Sequence, residues 1–414
     1  MNSKKVLIIG LVWPEPNSTA AGQRMMQLLH FFKKQAYHIT FASTASETAY
    51  SADLTVLGIE KVQIQLNHPS FDAFITALQP TIVVFDRFLT EEQFGWRVHR
   101  YMPQAIKILD TEDLHSLRKA RQEAVVGNTT FSIAKWKQAD LTKREIASIY
   151  RCDCSLLISN VEWNLLEEKV GVDTRLLMHL PFLLKPIKSS ANELGAPFKD
   201  RTGFICIGNG KHAPNTDAIQ WLYKEIWPKI RKALPKTVMN IYGAYLPQVI
   251  MQLHKPAKGF LVHGRVTNVN EVMGNARVSL APLRFGAGIK GKLISAMQCG
   301  TPNVTTTIGA EGMHQQLPWN GSITDDVQHF ANAAIALYQN ESLWKTAQLN
   351  GVEIINACYS QTSLERDLEF KIAHLSSHLE AHRSQNYVGS LLHHHSMAST
   401  KYMAKWIAAK NNNR

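Results

Sequence analysis

Cysteine is scarce in this sequence of 414 residues. The five cysteines are odd in number and mostly lie in apolar segments, so we expect reduced core thiols rather than a disulfide framework. Cys152 and Cys154 form a CxC pair without a second pair or neighbouring histidines, which disfavours the alternative of a zinc site. This cysteine usage is typical of a cytoplasmic protein.

Apolar runs long enough to span a membrane are also missing. The run 6–13 follows two lysines, as in a signal peptide, but it is short and ends in Pro-Glu-Pro, so it predicts a first buried strand. Acidic residues number 33 against 45 basic ones, giving a formal net charge of +12. This charge favours nucleotide phosphates, anionic lipid or nucleic acid as partners, without choosing among them.

The length of the chain exceeds that of a usual single domain and predicts two cores plus extensions. Apolar β-branched runs such as 6–10 and 81–85 alternate with helical patterns, which predicts doubly wound parallel sheets of the α/β class. The predicted parts are a first domain (1–185), a linker (186–200), a second domain (201–360), a helix (361–382) and a basic tail (383–414). Ligands of such sheets bind beyond the carboxyl ends of the strands.

A glycine-rich loop joins a predicted strand, 276–281, to a helix that we expect to start near Lys290. Its glycines let the backbone approach a ligand, and the helix N-terminus presents free N–H groups and the positive dipole end. Lys290 and Lys292 add positive charge at this N-terminus, where the helix dipole disfavours a lysine. Their presence there therefore suits the binding of a diphosphate. Two alternatives stay open. The loop is a purely structural turn, or it is a dinucleotide site, because it satisfies GxGxxG and Glu311 follows about 20 residues later.

Two further loops follow predicted strands and carry polar side chains. The first, 14–22, leads into a helical pattern that contains Arg24. The second, 109–118, places carboxylates and an imidazole just past a strand end, where they can hold an acceptor hydroxyl or support charge at a reacting carbon. The alternatives are an ordinary connector for the first loop and a helix cap, by Asp110 or Asp113, for the second.

Four segments of the second half resemble, in the same order, those of GT-B glycosyltransferases of the GT4 type. They are FICIGNGKHAPN (204–215), NIYG (240–243), HGRV (263–266) and GAGIKGKLISAMQCGTPNVTTTIGAEGM (286–313). The resemblance covers most of 201–360 and, more loosely, the N-terminal half. It implies two Rossmann-like domains facing across a cleft. It also implies transfer of a hexosyl-type group from a nucleoside diphosphate sugar to a hydroxyl acceptor, with retention of configuration.

The resemblance also assigns site residues on both sides of the cleft. The donor-binding candidates are Gly22, Arg24, Lys211, Arg265, Gly286, Gly288, Lys290, Lys292, Ser295 and Glu311. The catalytic candidates are Glu112, Asp113 and His115. The sequence has no Asp-x-Asp motif, so we expect neither a metal nor another cofactor, and fixed positive charge would stabilise the leaving diphosphate.

The sequence departs from the family pattern at one pair of positions. GT4 proteins commonly carry two glutamates eight residues apart around the glycine loop, and here Ala287 and Ser295 stand in their places. Glu311 is an alternative carboxylate for the nucleotide ribose. The missing pair keeps open a catalytically silent binding module, and a nucleotide-sugar epimerase of the same fold is the other alternative.

The C-terminal segment has two parts with different patterns. The helical periodicity of 361–379 predicts a helix that crosses back to the first domain, as in GT-B proteins. The histidine run 393–395 is typical of a solvated polar tract, and the lysines beside Trp406 indicate either contact with anionic lipid or a frayed terminus. We expect a cytoplasmic protein, peripheral at the inner face of the membrane. Its acceptor would be a glycan or a lipid-linked glycan, and nucleic acid would not be a partner.

Overall fold

Seven parallel strands form the first sheet in the computed structural model, which describes residues 4–188 and 195–412. The sheet order is β3-β2-β1-β4-β5-β6-β7. Its strands are β1 (Lys5–Gly10), β2 (His38–Ser43), β3 (Glu60–Gln63), β4 (Ile82–Asp86), β5 (Ile106–Asp110), β6 (Cys154–Leu157) and β7 (Leu177–His179). The apolar runs of β1 and β4 are fully buried, as expected for central parallel strands covered on both faces.

Helices cover both faces of this sheet. They are α1 (Ala20–Lys34), α2 (Ser70–Leu78), α3 (Arg87–Tyr101), α4 (His115–Val126), α5 (Ile133–Gln138), α6 (Asp140–Arg151) and α7 (Asn160–Asn164). One core lies under α1, where Leu28 and Leu29 pack with Val6 and Ile8 of β1. The strand order reverses beside β1, so the loops after β1 and β4 diverge there, and a ligand crevice is expected at such a point.

The second domain repeats this plan with six parallel strands in the order β10-β9-β8-β11-β12-β13. The strands are β8 (Phe204–Ile207), β9 (Met239–Tyr242), β10 (Phe260–Gly264), β11 (Val278–Ala281), β12 (Asn303–Thr305) and β13 (Gly321–Ile323). The helices are α8 (Ala213–Trp221), α9 (Trp227–Ala233), α10 (Gln248–Met251), α11 (Val269–Asn275), α12 (Gly291–Gln298), α13 (Thr307–Ala310), α14 (Val327–Gln339) and α15 (Glu341–Cys358). The predicted α/β class and the two doubly wound domains are confirmed.

Two long helices, α16 (Gln361–Ser384) and α17 (Tyr387–Asn412), complete the described chain. Leu368, Ile372 and Leu375 of α16 join the core that lies under α1, so this helix returns to the first domain. α17 then packs on α3 and α6. The helix therefore continues where a frayed terminus was an alternative, and of the predicted solvated histidine run His393 is half-buried whereas His394 is exposed.

Other features of the chain bear on the predictions from sequence. All five cysteines are unpaired, and Cys152, Cys154 and Cys206 are buried. Among the residues described, no helix has the length and apolar character needed to cross a bilayer. The predicted linker 186–200 lies partly outside the described residues.

Candidate active site at the cleft between the domains

The N-terminus of α12 lies against the first domain. The helix begins at Gly291, and a Cβ added to this glycine would lie only 2.5 Å from the Cβ of Ala20, the first residue of α1. The N-termini of two helices from different domains therefore meet, and both direct positive dipole ends into the cleft. Such a convergence favours an anionic ligand.

Both predicted lysines lie at this end of α12. The Nζ of Lys290 donates to the carbonyl oxygen of Gly288 at 2.7 Å, and the Nζ of Lys292 donates to Oδ1 of Asn215 at 2.6 Å. Burial lowers the pKa of Lys290 to about 8, although Glu311 opposes the shift. A buried lysine with one backbone partner gains from an anion beside it, because the anion offsets the cost of desolvating the charge.

Gly288 is the point where the glycine loop touches the first domain. Its φ of +61° is unfavourable for other residues, and an added Cβ would lie 2.8 Å from the Cβ of Asp113. Its N–H donates to the carboxyl group of Glu162 at 2.9 Å. The predicted donor loop and the predicted catalytic loop are therefore in direct contact.

The three catalytic candidates of the loop 109–118 differ in their hydrogen bonds and in the direction of their pKa shifts. Glu112 has a φ of +62°, and its Oε1 has no hydrogen-bond partner within 4–188 or 195–412. Burial raises the pKa of Glu112 to about 8, and the charge of the nearby Asp110 adds to this shift. Burial would raise the pKa of Asp113, but Arg118 and His115 together hold it below its usual value. Burial lowers the pKa of His115 to about 4 against the pull of Asp113, so the imidazole is neutral at pH 7.

The start of α4 is capped from outside the loop. Glu145 of α6 accepts the backbone N–H groups of His115 and Ser116 at 2.8 and 3.0 Å, and burial raises the pKa of Glu145 to about 7. Neither Asp110 nor Asp113 caps the helix. The capping alternative from sequence is therefore wrong, which leaves Asp113 to pair with Arg118 and His115.

Asn215 lies in the first turn of the helix after β8, and asparagine is a residue type that often caps helices. That helix, α8, begins at Ala213, and none of the described side chains caps it. Asn215 instead donates to the carbonyl oxygen of Asn209 and accepts from Lys292, so it braces the donor side of the cleft.

Arg24 and Gly22 make their contacts within the first domain. Arg24 is 1% exposed and donates from both Nε and Nη2 to Oδ1 of Asp110, while its Nη1 donates to the carbonyl oxygens of Leu180 and Pro181. The sequence predicts that Arg24 reaches the donor, whereas these hydrogen bonds all lie within the first domain. The N–H of Gly22 donates to Oγ1 of Thr19, and an added Cβ would lie 2.5 Å from the backbone of Glu15, so Gly22 permits tight folding of the loop.

Lys211 and Arg265 each lie over a tyrosine ring, and the two rings contact each other edge to face. The Nζ of Lys211 is 3.8 Å from the ring centre of Tyr245, and the guanidinium carbon of Arg265 is 4.1 Å from that of Tyr50. The hydroxyl of Tyr245 donates to the carboxylate of Glu15, which belongs to the first domain. Both cations therefore sit in a contact between the domains.

Glu311 and Gly286 are joined by an arginine that sequence reasoning missed. Arg121 of α4 donates to both carboxylate oxygens of Glu311, at 2.6 and 2.7 Å, and to the carbonyl oxygen of Gly286 at 2.8 Å. Ser295 lies a turn into α12 and is partly buried. Glu162 was also missed. Ser159-x-x-Glu162 has the form of a capping box, so the sequence holds no signal for its contact with the other domain.

The two facing α/β domains and the anion-directed cleft define the GT-B class. Residues 201–340 match the family model described as glycosyl transferases group 1. Three similar solved structures span the whole fold. Sucrose-phosphate synthase from Thermosynechococcus elongatus has a TM-score of 0.63 and 15% identity, covering 90% of this chain and 99% of that chain. HepE from Anabaena, in complex with UDP-glucose, has a TM-score of 0.65 and 12% identity over 90% of this chain and 100% of that chain.

WaaG, a glycosyltransferase involved in lipopolysaccharide biosynthesis, has a TM-score of 0.60 and 11% identity, covering 88% of this chain and 98% of that chain. No curated protein matches the chain in sequence. The chain has the GT-B fold, and its second domain carries the group 1 glycosyl transferase pattern. The predicted resemblance to GT4-type proteins is therefore confirmed.

Proposed function

We propose that the protein transfers a hexosyl-type group from a nucleoside diphosphate sugar to a hydroxyl acceptor, with retention of configuration. The observation that carries this proposal is the N-terminus of α12. It combines a helix dipole, a glycine loop and the buried Lys290, and the loop with Asp113 and His115 lies against it. The match of residues 201–340 to group 1 glycosyl transferases supports the same activity.

In this proposal the main catalytic contribution is stabilisation of the leaving diphosphate. Lys290 and Lys292 supply charge in a partly dry cleft, where it is stronger than in water, and backbone N–H groups of α12 supply the helix dipole. Lys211 joins them once it leaves the ring of Tyr245. Asp113 and the neutral His115 would meet the acceptor hydroxyl or the developing charge at the sugar, and no metal is required for these steps.

A panel of UDP-, GDP- and dTDP-sugars tests the proposal through thermal shift and calorimetry. UDP comes first, because the similar HepE structures hold UDP or UDP-glucose. A ligand that binds only the folded state stabilises it by mass action, about 2.7 kcal/mol at a concentration of 100 Kd. Binding of one nucleotide sugar, followed by release of its diphosphate when acceptor glycans are added, is the expected result. Failure of every nucleotide to bind would refute it.

A second candidate is a catalytically silent binding module of the same fold. It is favoured by one observation, the absence of a carboxylate at Ala287 and Ser295. The two candidates predict different products, since a silent module binds the nucleotide sugar or a glycan but never releases diphosphate from the donor. Product analysis by mass spectrometry therefore separates them.

We also propose that the protein meets a lipid-linked acceptor at the inner face of a membrane through α17. Tyr402, Met403 and Trp406 are exposed by 60–64%, and Lys401 and Lys405 lie on the same helix. Each lysine near an anionic surface contributes roughly 1 kcal/mol. Removal of residues 387–414 is expected to weaken binding to anionic vesicles and to preserve nucleotide binding. Equal vesicle binding by the truncated chain would contradict the proposal.

A further inference from the structure

Glu162 is a buried acid that none of the predicted roles includes. It lies in α7, just after β6, and its side chain is 1% exposed. One carboxyl oxygen, Oε1, accepts the backbone N–H of Leu114 in the first domain and that of Gly288 in the second, both at 2.9 Å. A single side chain therefore joins the loop 109–118 to the glycine loop across the cleft.

The second oxygen of this carboxyl group, Oε2, is buried and has no hydrogen-bond partner in the described part of the chain. Buried polar atoms are nearly always paired, so an unpaired one indicates a partner that arrives with a ligand or with water. The charged groups that act on Glu162 are Asp113 of the loop 109–118, Glu145 of α6 and Lys290 at the start of α12.

The contact with Gly288 also reaches Lys290. Gly288 donates its N–H to Glu162 and accepts the ammonium of Lys290 at its carbonyl oxygen. The position of the ammonium therefore depends on a glycine that a side chain of the other domain holds. When the domains separate, Gly288 loses this partner, and the anchor of Lys290 is free to move.

We propose that Glu162 is a positioning residue that fixes the glycine loop when the domains close and hydrogen-bonds an oxygen of the bound diphosphate sugar through Oε2. This inference rests on the proposed function, because that function assigns the glycine loop to the donor. A neutral carboxyl group suits this position, since a carboxylate would repel a diphosphate whereas a protonated acid donates a hydrogen bond to it. Burial raises the pKa of Glu162 to about 8, and the charge of Asp113 adds to the shift, which is consistent with a proton at pH 7.

Calorimetric titration with UDP compares the parent chain with Glu162→Gln, Glu162→Ala and the control Glu168→Gln, an exposed acid four residues past the α7 end. Glutamine keeps the acceptor for both N–H groups and offers an N–H in place of the acid O–H. We expect Glu162→Gln to bind within threefold of the parent at pH 7, Glu162→Ala to bind at least tenfold more weakly, and the control to be unchanged.

The pH dependence provides a readout that a merely structural role would not move. Between pH 7 and 9 the affinity of the parent is expected to fall more steeply than that of Glu162→Gln, because only the parent loses the acid proton. Burial also lowers the pKa of Lys290 to about 8, and the charge of Glu162 acts on this lysine, so the difference between the two profiles reports the acid proton of Glu162 together with its effect on Lys290.

Parallel pH profiles, or an affinity of Glu162→Ala within twofold of the parent, would overturn the inference and leave the proposed function standing. Absence of binding of any nucleotide by the parent would overturn both. If Glu162→Ala does not fold, the comparison of the parent with Glu162→Gln decides alone.

Discussion

Arg121 is predicted to hold the two domains together before any ligand binds. It makes three hydrogen bonds from α4 to the second domain, two of them to Glu311, and the paired side chains are 11% and 19% exposed. Hydrogen bonds to charged groups contribute about 1.5–3 kcal/mol each, and partial exposure reduces this. We therefore expect Arg121→Ala to shift the closed-to-open equilibrium by about 2–3 kcal/mol, or roughly 30- to 150-fold.

Small-angle scattering of the ligand-free protein measures this shift as a larger radius of gyration. Arg144→Ala is the matched control, because Arg144 forms a bidentate pair with Glu92 inside the first domain. Glu311→Ala is expected to reproduce the effect of Arg121→Ala, and the double substitution is expected to add little, since both changes remove the same contact. A radius of Arg121→Ala equal to that of the control would refute the reasoning.

Three further predictions concern charge. Lys290→Ala is expected to weaken UDP binding at least tenfold and Ser295→Ala only a few-fold, as measured by calorimetry. A large loss of affinity in Ser295→Ala alone would contradict a site in which the phosphates supply most of the binding energy. Arg24→Ala leaves Asp110 buried and unpaired, so the free energy of unfolding measured with denaturant is expected to fall by about 3–5 kcal/mol. A decrease below about 1 kcal/mol would argue against this ion pair. His393 of α17 stacks on a histidine of α3 and lies beside a buried lysine, and burial lowers its pKa. Because the undocked histidine binds a proton more readily than the docked one, docking of α17 is complete above about pH 6.5 and weakens as the pH falls below it. Hydrogen exchange of α17 at pH 7.5 and 5.5 measures this, and equal protection at the two values would contradict it.

The donor side of the cleft was predictable because its signals are local. The strand, the glycine loop and the lysines are contiguous in sequence, and the helix expected near Lys290 begins at Gly291. The strand expected at 276–281 is found at Val278–Ala281. Each of these features follows from residue type and spacing over a few positions, so no knowledge of distant parts of the chain was needed.

The role of Arg24 was not predictable in this way. Its sequence neighbours indicate a helix start beside a ligand loop, but its partner Asp110 lies 86 residues away on another strand. Only the parallel order of β1, β4 and β5 brings the two together. A buried arginine and an arginine that faces a ligand have the same local pattern, and they differ only in whether the fold supplies a buried carboxylate.

The closing contacts of the cleft share this property. Glu162 and Arg121 lie on helices of the first domain, and each reaches backbone of the glycine loop more than 120 residues further along the chain. Such pairs leave no periodic signal, because each partner satisfies a local pattern of its own. The glycine loop, Lys290 and Lys292 are therefore encoded in one segment, whereas the apposition of the two domains depends on pairs that exist only after both sheets have formed. Substitutions in the first group should change affinity in either domain arrangement. Those in the second should act through the fraction of molecules that is closed, and Glu162 should also act through its proposed contact with the diphosphate.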